Sequence, residues 1–166
     1  EFLAALLSDQ PAVLDRATAN GDTAMHIAAA EGHAGCVEAL ISAGADPNAV
    51  NNKGLTALHM AMAKQHFEVV EEFLSAESGA GPALDLELRL PTTQASYLHF
   101  LAQTGMEELI SEFVSHGAPI TDVDAHRRTA LHAMAHCGSD KGCRAFVELG
   151  LSPAAEDKDG KLPMHY

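Results

Sequence analysis

Thr23-Ala24-Met25-His26 is a four-residue stretch that recurs along this chain with small variations. The other copies are Thr56-Ala57-Leu58-His59, Ser96-Tyr97-Leu98-His99, Thr129-Ala130-Leu131-His132 and Leu162-Pro163-Met164-His165. Successive histidines of these copies lie 33, 40, 33 and 33 residues apart. Self-similarity at a fixed period of this length indicates a chain built from stacked structural repeats, so this series of histidines decides the fold.

The first four copies open the same pattern of local structure, whereas the fifth has Leu162 in place of the hydroxyl residue. The Thr or Ser hydroxyl can cap unpaired N–H groups at a helix start, and a short alanine-rich helix follows, for example over residues 57–64. A turn then leads to a second helix with apolar residues at helical spacing, such as Val37, Leu40 and Ile41. Glycines stand where a second helix needs a left-handed end, at Gly44, Gly117 and Gly150. A unit of this kind can bury its apolar face only against its neighbours.

The chain resembles the ankyrin-repeat family, whose repeat of about 33 residues carries a Thr-Pro-Leu-His signature. Glycines precede the signature at Gly21, Gly54 and Gly160, and Gly44-Ala45-Asp46-Pro47-Asn48 matches the family's exit from the second helix. The resemblance implies an all-α repeat fold, an ankyrin solenoid of helix–turn–helix units with β-turn or hairpin fingers. It divides the chain into the end of a preceding repeat (1–19), repeats at 20–52, 53–91, 92–124 and 125–158, and the start of a truncated repeat (159–166).

One interval of the series is seven residues longer than the others, between His59 and His99. We place the extra residues in 77–94, where the Gly-Ala exit is missing and residues 84–90 alternate between leucine and charged side chains. Because strict alternation is typical of a strand, we predict an elongated third finger, as a β-hairpin arm or an edge strand. Its leucines either cover the adjacent helices or serve a partner contact, and the sequence leaves both readings open.

Composition and charge narrow the classes of function. The chain is 47% hydrophobic, which allows a packed core, and its net charge of −13 disfavours nucleic acid and anionic membranes as partners. A protein or peptide partner remains, possibly one with a basic segment. Three cysteines imply no disulfide framework, so we expect an intracellular, cytoplasmic or nuclear location. Because the chain starts at Glu1 already in a helical pattern, we expect the array to continue in a longer parent.

Ten histidines raise the question of a metal site. The family resemblance gives His26, His59, His99, His132 and His165 a structural role instead, in which they tie neighbouring repeats by hydrogen bonds. His132 and His136, followed by Cys137, have a spacing on one helix that zinc sites also use, so a metal- or thiol-dependent enzyme stays as a third hypothesis. No glycine-rich phosphate loop or paired-carboxylate site is evident, and the sequence predicts no catalytic residue, cofactor or metal.

The resemblance implies a protein–protein interaction module whose partner lies on the concave face, formed by finger tips and first helices, and on the extended third finger. The alternative is a regulatory ankyrin domain of a larger enzyme, ion channel or pathogen effector. Matching positions give the candidate partner-binding residues Asn20, Asp22, Glu31, Asn52, Lys53, Leu55, Lys64, Glu87, Arg89, Thr93, Gln103, Thr104, His126, Arg128, His136, Lys158 and Lys161. Leu55 either anchors a partner or packs on the neighbouring finger.

Overall fold

The computed structural model describes residue 14, residues 16–76 and residues 81–166. The described chain is helical, with α1 (Ala24–Ala30), α2 (Ala34–Ser42), α3 (Ala57–Ala63), α4 (Phe67–Ser75), α5 (Tyr97–Thr104), α6 (Ile110–Ser115), α7 (Ala130–His136) and α8 (Asp140–Glu148). Short 3₁₀ helices cover Glu107–Leu109, just before α6, and Pro163–His165. In this part of the chain no helix is long and apolar enough to cross a membrane.

The chain divides into two compact units, residues 1–85 and 86–166. In the first unit, α1 packs beside α3 and α2 packs beside α4, so two helix pairs stack on each other. Fully buried alanines, Ala29 and Ala61, let the first helices approach closely, while Phe73 and Val70 of α4 fill the space beneath. The predicted end of a preceding repeat at 1–19 lies outside the described residues, apart from Leu14 and residues 16–19.

In the second unit, α5 packs beside α7, and α7 also contacts α8 and the 3₁₀ helix Pro163–His165. The core is more aromatic here, because Tyr97, Phe113 and Phe146 are all fully buried. The rings of Tyr97 and Phe113 are tilted by 44° with centroids 6.1 Å apart, a geometry that aromatic pairs favour. Helix pairs therefore occur at the predicted spacing, while the exact repeat boundaries stay a prediction.

Residues 84–90 correct the strand prediction. The described part of the insertion contains no strand, only an antiparallel bridge between Arg89 and Ser96. A strand needs successive ladder bonds to a partner, but here the Asn48 side chain binds the Ala83 carbonyl oxygen (2.7 Å) and the Asp85 N–H (2.8 Å). The alternation of the sequence is seen in the burial of the side chains. Leu86 is buried and the other leucines are half-buried, while the intervening charged side chains are exposed.

Most of the seven extra residues precede the third finger. The bridge residue Val50 stands eight positions after the end of α2, whereas Arg89 stands 14 positions after the end of α4. Thr56 follows its bridge partner Val50 by six positions, whereas Ser96 follows its bridge partner Arg89 by seven positions. The third finger is thus elongated by one residue, and the other six lengthen the segment before it.

Glycines end the second helices as predicted. Gly44, Gly117 and Gly150 have φ of 92°, 94° and 101°, a region that costs other residues about 1–2 kcal/mol. Helix α4 lacks such a glycine and passes into extended backbone at Ala76 (φ −61°, ψ 115°). The missing glycine therefore marks the place where the chain leaves the regular repeat and enters the insertion.

Candidate functional site

The signature histidines link one finger to the preceding first helix inside each unit. Their Nε2 atoms lie within hydrogen-bond distance of a backbone carbonyl oxygen 29 residues further along the chain. The pairs are His26 with Leu55 (3.0 Å), His99 with Arg128 (2.7 Å) and His132 with Lys161 (3.2 Å). This geometry fits the structural role that the family resemblance implies for these three histidines.

The other ring nitrogen of each signature histidine, Nδ1, accepts the backbone N–H of the residue three positions earlier, as from Thr56 to His59 at 3.3 Å. Because Nδ1 accepts while Nε2 faces a carbonyl oxygen in the three ties, the proton belongs on Nε2 and the ring is neutral. Burial lowers the pKa of His59 to about 4. Burial also lowers the pKa of His99, and its hydrogen bond to the Arg128 carbonyl offsets part of that effect.

This geometry refines the capping prediction. The signature hydroxyls lie 2.8–2.9 Å from the histidine Nδ1, at Thr23, Thr56, Ser96 and Thr129. The Thr56 hydroxyl also accepts the His59 backbone N–H at 3.3 Å, which is the cap that we expected. The cap is reciprocal at all four helix starts: the hydroxyl accepts the backbone N–H of the histidine, and the imidazole accepts the backbone N–H of the Thr or Ser.

An Asn or Asp closes three of the fingers, and the sequence analysis did not single these residues out. One side-chain oxygen accepts two backbone N–H groups of the same finger, at 2.8–3.1 Å, in Asn51, Asp124 and Asp157. Each residue stands five positions before the signature position, a spacing that could have identified them. The third finger has Leu90 in this role, where the Gln94 N–H binds the Leu90 carbonyl oxygen (2.8 Å).

Arg128 neutralises the buried carboxylate at the base of the fourth finger. Its Nε lies 2.8 Å from Asp124 Oδ2, and its terminal nitrogen lies 2.7 Å from the same oxygen. Burial raises the pKa of Asp124, but hydrogen bonds from Arg128 and His126 outweigh that effect and hold the pKa below its usual value. Arg128 is therefore a half-buried part of the finger as well as a candidate contact residue.

In the first unit, three predicted residues connect the first finger with the second. The Asn52 N–H binds the Asn20 carbonyl oxygen (3.0 Å), and the Asn52 side chain binds the Ala19 carbonyl oxygen (3.0 Å). Asn51 donates to the Asp22 carboxylate at 2.8 Å. Asn20 and Asn52 nevertheless stay exposed, whereas Asp22 is half-buried.

The first helices of this unit expose one narrow strip each. On α1 the exposed residues are Ala24 and Ile27, and Glu31 is exposed just after the helix. On α3 Met60 is half-buried and Ala63 is exposed, as is Lys64 just after the helix. Ile27 is 49% exposed, although its neighbours in α1 are buried. The sequence analysis selected Glu31 and Lys64 but missed Ile27. Lys53 is exposed at the second finger tip, and Leu55 is half-buried, which fits both readings of that leucine.

In the second unit, two predicted residues are engaged inside the fold. The Arg89 guanidinium pairs with Asp122 and donates to the Val123 carbonyl oxygen (3.2 Å), which joins the third finger to the next. The Thr104 hydroxyl donates to the carbonyl oxygen of Phe100 (3.0 Å), within α5. Glu87, Thr93 and Gln103 are exposed, and the Thr93 carbonyl oxygen accepts the N–H of Ala125 at 2.9 Å.

The remaining predicted residues, His126, His136, Lys158 and Lys161, are all exposed. The Lys158 N–H binds the His126 carbonyl oxygen (3.0 Å), which sets the tip of the fifth finger against that of the fourth. His136 and Lys161 both contact the ring of Tyr166. The centroids of the His136 and Tyr166 rings are 5.9 Å apart, and the Lys161 Nζ is 5.5 Å from the Tyr166 centroid. The structure thus brings together, beside an aromatic ring, two candidates that the sequence placed in different repeats.

The metal hypothesis conflicts with the position of His132. Its side chain is fully buried, Nδ1 accepts from Thr129 (3.1 Å) and Nε2 faces the Lys161 carbonyl oxygen, so it offers a metal no free lone pair. His136 and Cys137 are exposed at the end of α7. Across residues 14, 16–76 and 81–166, no group of three or more potential ligands is arranged to hold a metal ion.

Comparison with known proteins agrees with this architecture. A family model for ankyrin repeats (3 copies) matches residues 1–85, just over half of the chain. The regulatory protein SWI6 of Kluyveromyces lactis is 51% identical over 43 residues, which cover 26% of this chain and 6% of SWI6. The chain therefore matches only a small part of that curated relative's length.

The crystal structure of the ankyrin repeat domain of Bcl-3, described as a unique member of the IkappaB protein family, superimposes with a TM-score of 0.83. The match covers 96% of this chain and 69% of the Bcl-3 chain at 23% identity, so it shows the fold. Ankyrin repeats are protein–protein interaction modules and a non-catalytic fold. With its histidine ties, paired helices and closed fingers, this chain belongs to the ankyrin-repeat family.

Proposed function

We propose that this chain binds a protein or peptide partner through the finger tips and the exposed strips of the first helices in each unit, together called the finger–helix surface. The proposal includes the third finger and residues 81–88 before it. The side chains of Glu87, Thr92 and Thr93 are exposed there, and the Arg89–Asp122 pair holds the finger in place. Fixed backbone with exposed side chains is what a preorganised contact surface requires.

The observation that carries the proposal is the exposure of Ile27. Single exposed apolar residues are common on protein surfaces, so Ile27 alone would mean little. However, Met60 occupies the same signature-plus-one position on the adjacent helix α3 and is also accessible. Alanines at 24 and 63 leave these two side chains uncovered, so α1 and α3 present an apolar strip between polar fingers. Buried apolar anchors within a polar rim are typical of protein interfaces.

The test compares Ile27→Glu with a matched control, Val147→Glu. Val147 is 44% exposed but lies on the second helix α8, outside the proposed surface. Proteins retained by the immobilised chain would be purified and titrated against the wild type and both variants. Loss of a central apolar anchor costs about 2 kcal/mol or more, so we expect Ile27→Glu to weaken binding at least about 30-fold. Equal affinities of the two variants for the same partner would contradict the placement of the surface.

A basic segment in the partner is a separate part of the proposal, because the exposed acids that would attract it lie on the second helices, outside the finger–helix surface. In the first unit α2 and α4 expose Glu38, Glu68 and Glu71. Burial, together with the nearby Glu38, raises the pKa of Glu72 beside them, as expected where carboxylates crowd. If partner affinity does not change between roughly 50 and 500 mM salt, a basic segment is not involved.

A regulatory role inside a longer protein is a second proposal. It is supported by the similarity to the regulatory protein SWI6, of which the chain matches only 6% of the length. The complete coding sequence tests this proposal, since a catalytic or membrane domain encoded beside these 166 residues would support it and the absence of any further domain would contradict it. We further propose an intracellular location, in keeping with the free thiols of Cys36, Cys137 and Cys143. Imaging of the fluorescently tagged protein in cells would test the location.

A further inference from the structure

The third and fourth fingers carry a side chain at a left-handed position where the other fingers have glycine. This position stands two residues before the signature position. Gly21, Gly54 and Gly160 occupy it with φ of 79°, 74° and 73°. Gln94 (φ 55°) occupies it in the third finger and Arg127 (φ 59°) in the fourth. A residue with a Cβ is strained in this region, and Gln and Arg are not among the residues that enter it most readily.

The turn of the finger imposes this backbone conformation, whatever side chain the residue carries. The Gln94 N–H binds the Leu90 carbonyl oxygen at 2.8 Å, and the Arg127 N–H binds the Asp124 carbonyl oxygen at 2.9 Å. The N–H of Gly54 closes the second finger with a comparable bond of 2.8 Å. Glycine would therefore fit both positions without strain. Because strained backbone is concentrated at functional sites, its presence at two neighbouring tips indicates that these side chains serve a purpose outside the fold.

Both side chains keep hydrogen-bonding groups that the fold does not use. Gln94 and Arg127 are exposed, and within the described residues the Arg127 guanidinium takes part in no hydrogen bond or ion pair. The Gln94 amide nitrogen reaches only backbone carbonyl oxygens of its own finger, at the long distances of 3.3 and 3.5 Å. The two tips are joined by the hydrogen bond from the Ala125 N–H to the Thr93 carbonyl oxygen (2.9 Å). An acceptor and a set of donors are therefore available on adjoining tips.

The charges of these two fingers cancel. Residues 86–95 and 121–129 contain three cations and three acids, namely Arg89, Arg127, Arg128, Glu87, Asp122 and Asp124. Two of the cations are already paired, Arg89 with Asp122 and Arg128 with Asp124. A charged ligand therefore has no advantage over a neutral one at this place. The N–H and the carbonyl oxygen of a peptide group are neutral and match a side-chain amide and a guanidinium.

We propose that Gln94 and Arg127 bind the main chain of an extended segment of the protein partner. The Gln94 amide oxygen accepts a peptide N–H, and the Arg127 guanidinium donates to a peptide carbonyl oxygen. Peptide groups inside a helix are already bonded to one another, so only a segment outside a helix can offer them. This inference rests on the proposed function and names the chemistry of one contact on the finger–helix surface. Neither residue is among the candidates predicted from the sequence.

The experiment selects ligands from a phage-displayed library of short random peptides on the immobilised 166-residue chain. Selected peptides are synthesised and titrated by fluorescence anisotropy against the wild type, Ile27→Glu and two glycine variants. The test variant combines Gln94→Gly with Arg127→Gly. Its matched control is Gln65→Gly, which makes the same change at φ 58° in the turn between α3 and α4, outside the fingers.

Thermal unfolding separates recognition from folding. Relief of the strain offsets the extra freedom that glycine gives the unfolded chain. Both glycine variants should therefore melt at the wild-type temperature or a few degrees above it. A clear fall in the melting temperature of the Gln94→Gly, Arg127→Gly variant alone would overturn the inference, because the two side chains would then serve the fold.

We expect the Gln94→Gly, Arg127→Gly variant to bind the selected peptides about 10-fold more weakly, since two hydrogen bonds are lost. Gln65→Gly should change their binding less than about 2-fold. Methylation of the peptide backbone, one nitrogen at a time, tests whether the main chain is recognised. At one position the methyl group should weaken binding to the wild type about 5-fold more than binding to the test variant, because it removes the N–H that Gln94 accepts.

The outcomes distinguish this inference from the proposed function. Peptides that are weakened by Ile27→Glu, but bind the test variant as tightly as the wild type, would overturn the inference and leave the proposed function standing. Equal effects of backbone methylation on both proteins at every position would do the same, because side chains would then be recognised. If no peptide binds saturably, the inference is wrong. If Ile27→Glu also leaves partner binding unchanged, the proposed function is wrong as well.

Discussion

Acid should destabilise this fold through His59, well above the pH at which carboxylates begin to titrate. The His59 side chain is 1% exposed, and its Nδ1 accepts the Thr56 N–H and lies 2.9 Å from the Thr56 hydroxyl. Protonation would place an N–H on Nδ1, opposite the backbone N–H of Thr56, which is itself a donor. Burial accordingly lowers the pKa of His59 to about 4, from 6.5 in an unfolded chain.

The sign and the magnitude follow from the two pKa values of His59. Between pH 6.5 and 4 the unfolded state binds a proton that the folded state does not, so the free energy of unfolding falls as the pH falls. The contribution is fully present above pH 6.5. At about 1.4 kcal/mol per pKa unit, the loss is about 1.4 kcal/mol at pH 5.5 and about 3 kcal/mol at pH 4. Burial lowers the pKa of His99 in the same direction.

Urea unfolding followed by circular dichroism would measure this effect, at several pH values between roughly 7.5 and 5. The matched variant is His59→Gln, which cannot be protonated in this range. It lowers stability at every pH, but its free energy of unfolding should depend less on pH than that of the wild type. Asp157 and Asp124 do not interfere, because the pKa of Asp157 is about 2 and that of Asp124 is also below its usual value, so both stay ionised in this range. The raised pKa of Glu72 acts in the opposite direction and is common to both proteins, so it cancels in their comparison. Identical pH dependence of the two proteins would refute the reasoning.

Two pairs of glycine substitutions test the packing with internal controls. A Cβ at Gly32 (φ 77°) would lie 2.9 Å from the His66 ring, whereas one at Gly105 (φ 73°) meets nothing within 4 Å. Gly105→Ala should therefore lower the free energy of unfolding in urea by about 1 kcal/mol, and Gly32→Ala should lower it by about 1 kcal/mol more. A Cβ at Gly142 would lie 2.5 Å from a methionine sulfur and one at Gly35 meets nothing, so Gly35→Ala should raise the melting temperature by a few degrees and Gly142→Ala should lower it.

The sequence predicted those parts of the molecule that depend on local pattern. The family resemblance carried by the histidine series implied that these histidines tie neighbouring repeats, and the Nε2 atoms of His26, His99 and His132 lie at such contacts. Gly44 and Gly117 were predicted as left-handed helix ends, because their side-chain-free backbone is needed there. The Asn and Asp residues that close the fingers could have been predicted in the same way, because they recur at a fixed distance before the signature position. The repeat pattern that we used, however, contained only the Thr and His positions.

The insertion shows where local pattern stops being sufficient. Alternation placed the leucines of residues 84–90 on one face and the charged side chains on the other, which agrees with the burial of Leu86 and the exposure of Glu87. It did not predict the backbone, because a strand also requires a partner with free N–H and carbonyl groups in register. The Asn48 side chain takes that place at Ala83 and Asp85, and nothing in residues 84–90 indicates an asparagine more than 30 positions earlier.

The contact surface was less predictable than the fold for a reason visible in the histidine ties. The histidines bind the backbone carbonyl oxygens of Leu55, Arg128 and Lys161, not their side chains. The contacts between finger tips likewise use the backbone N–H groups of residues 52, 125 and 158. An apolar, a guanidinium and an ammonium side chain can therefore occupy equivalent positions without changing the tie. It follows that a substitution such as Lys161→Glu changes what the surface can bind while leaving the tie intact, so a loss of binding there reports on recognition and not on folding. Arg128 is the exception, because its side chain also pairs with the buried Asp124.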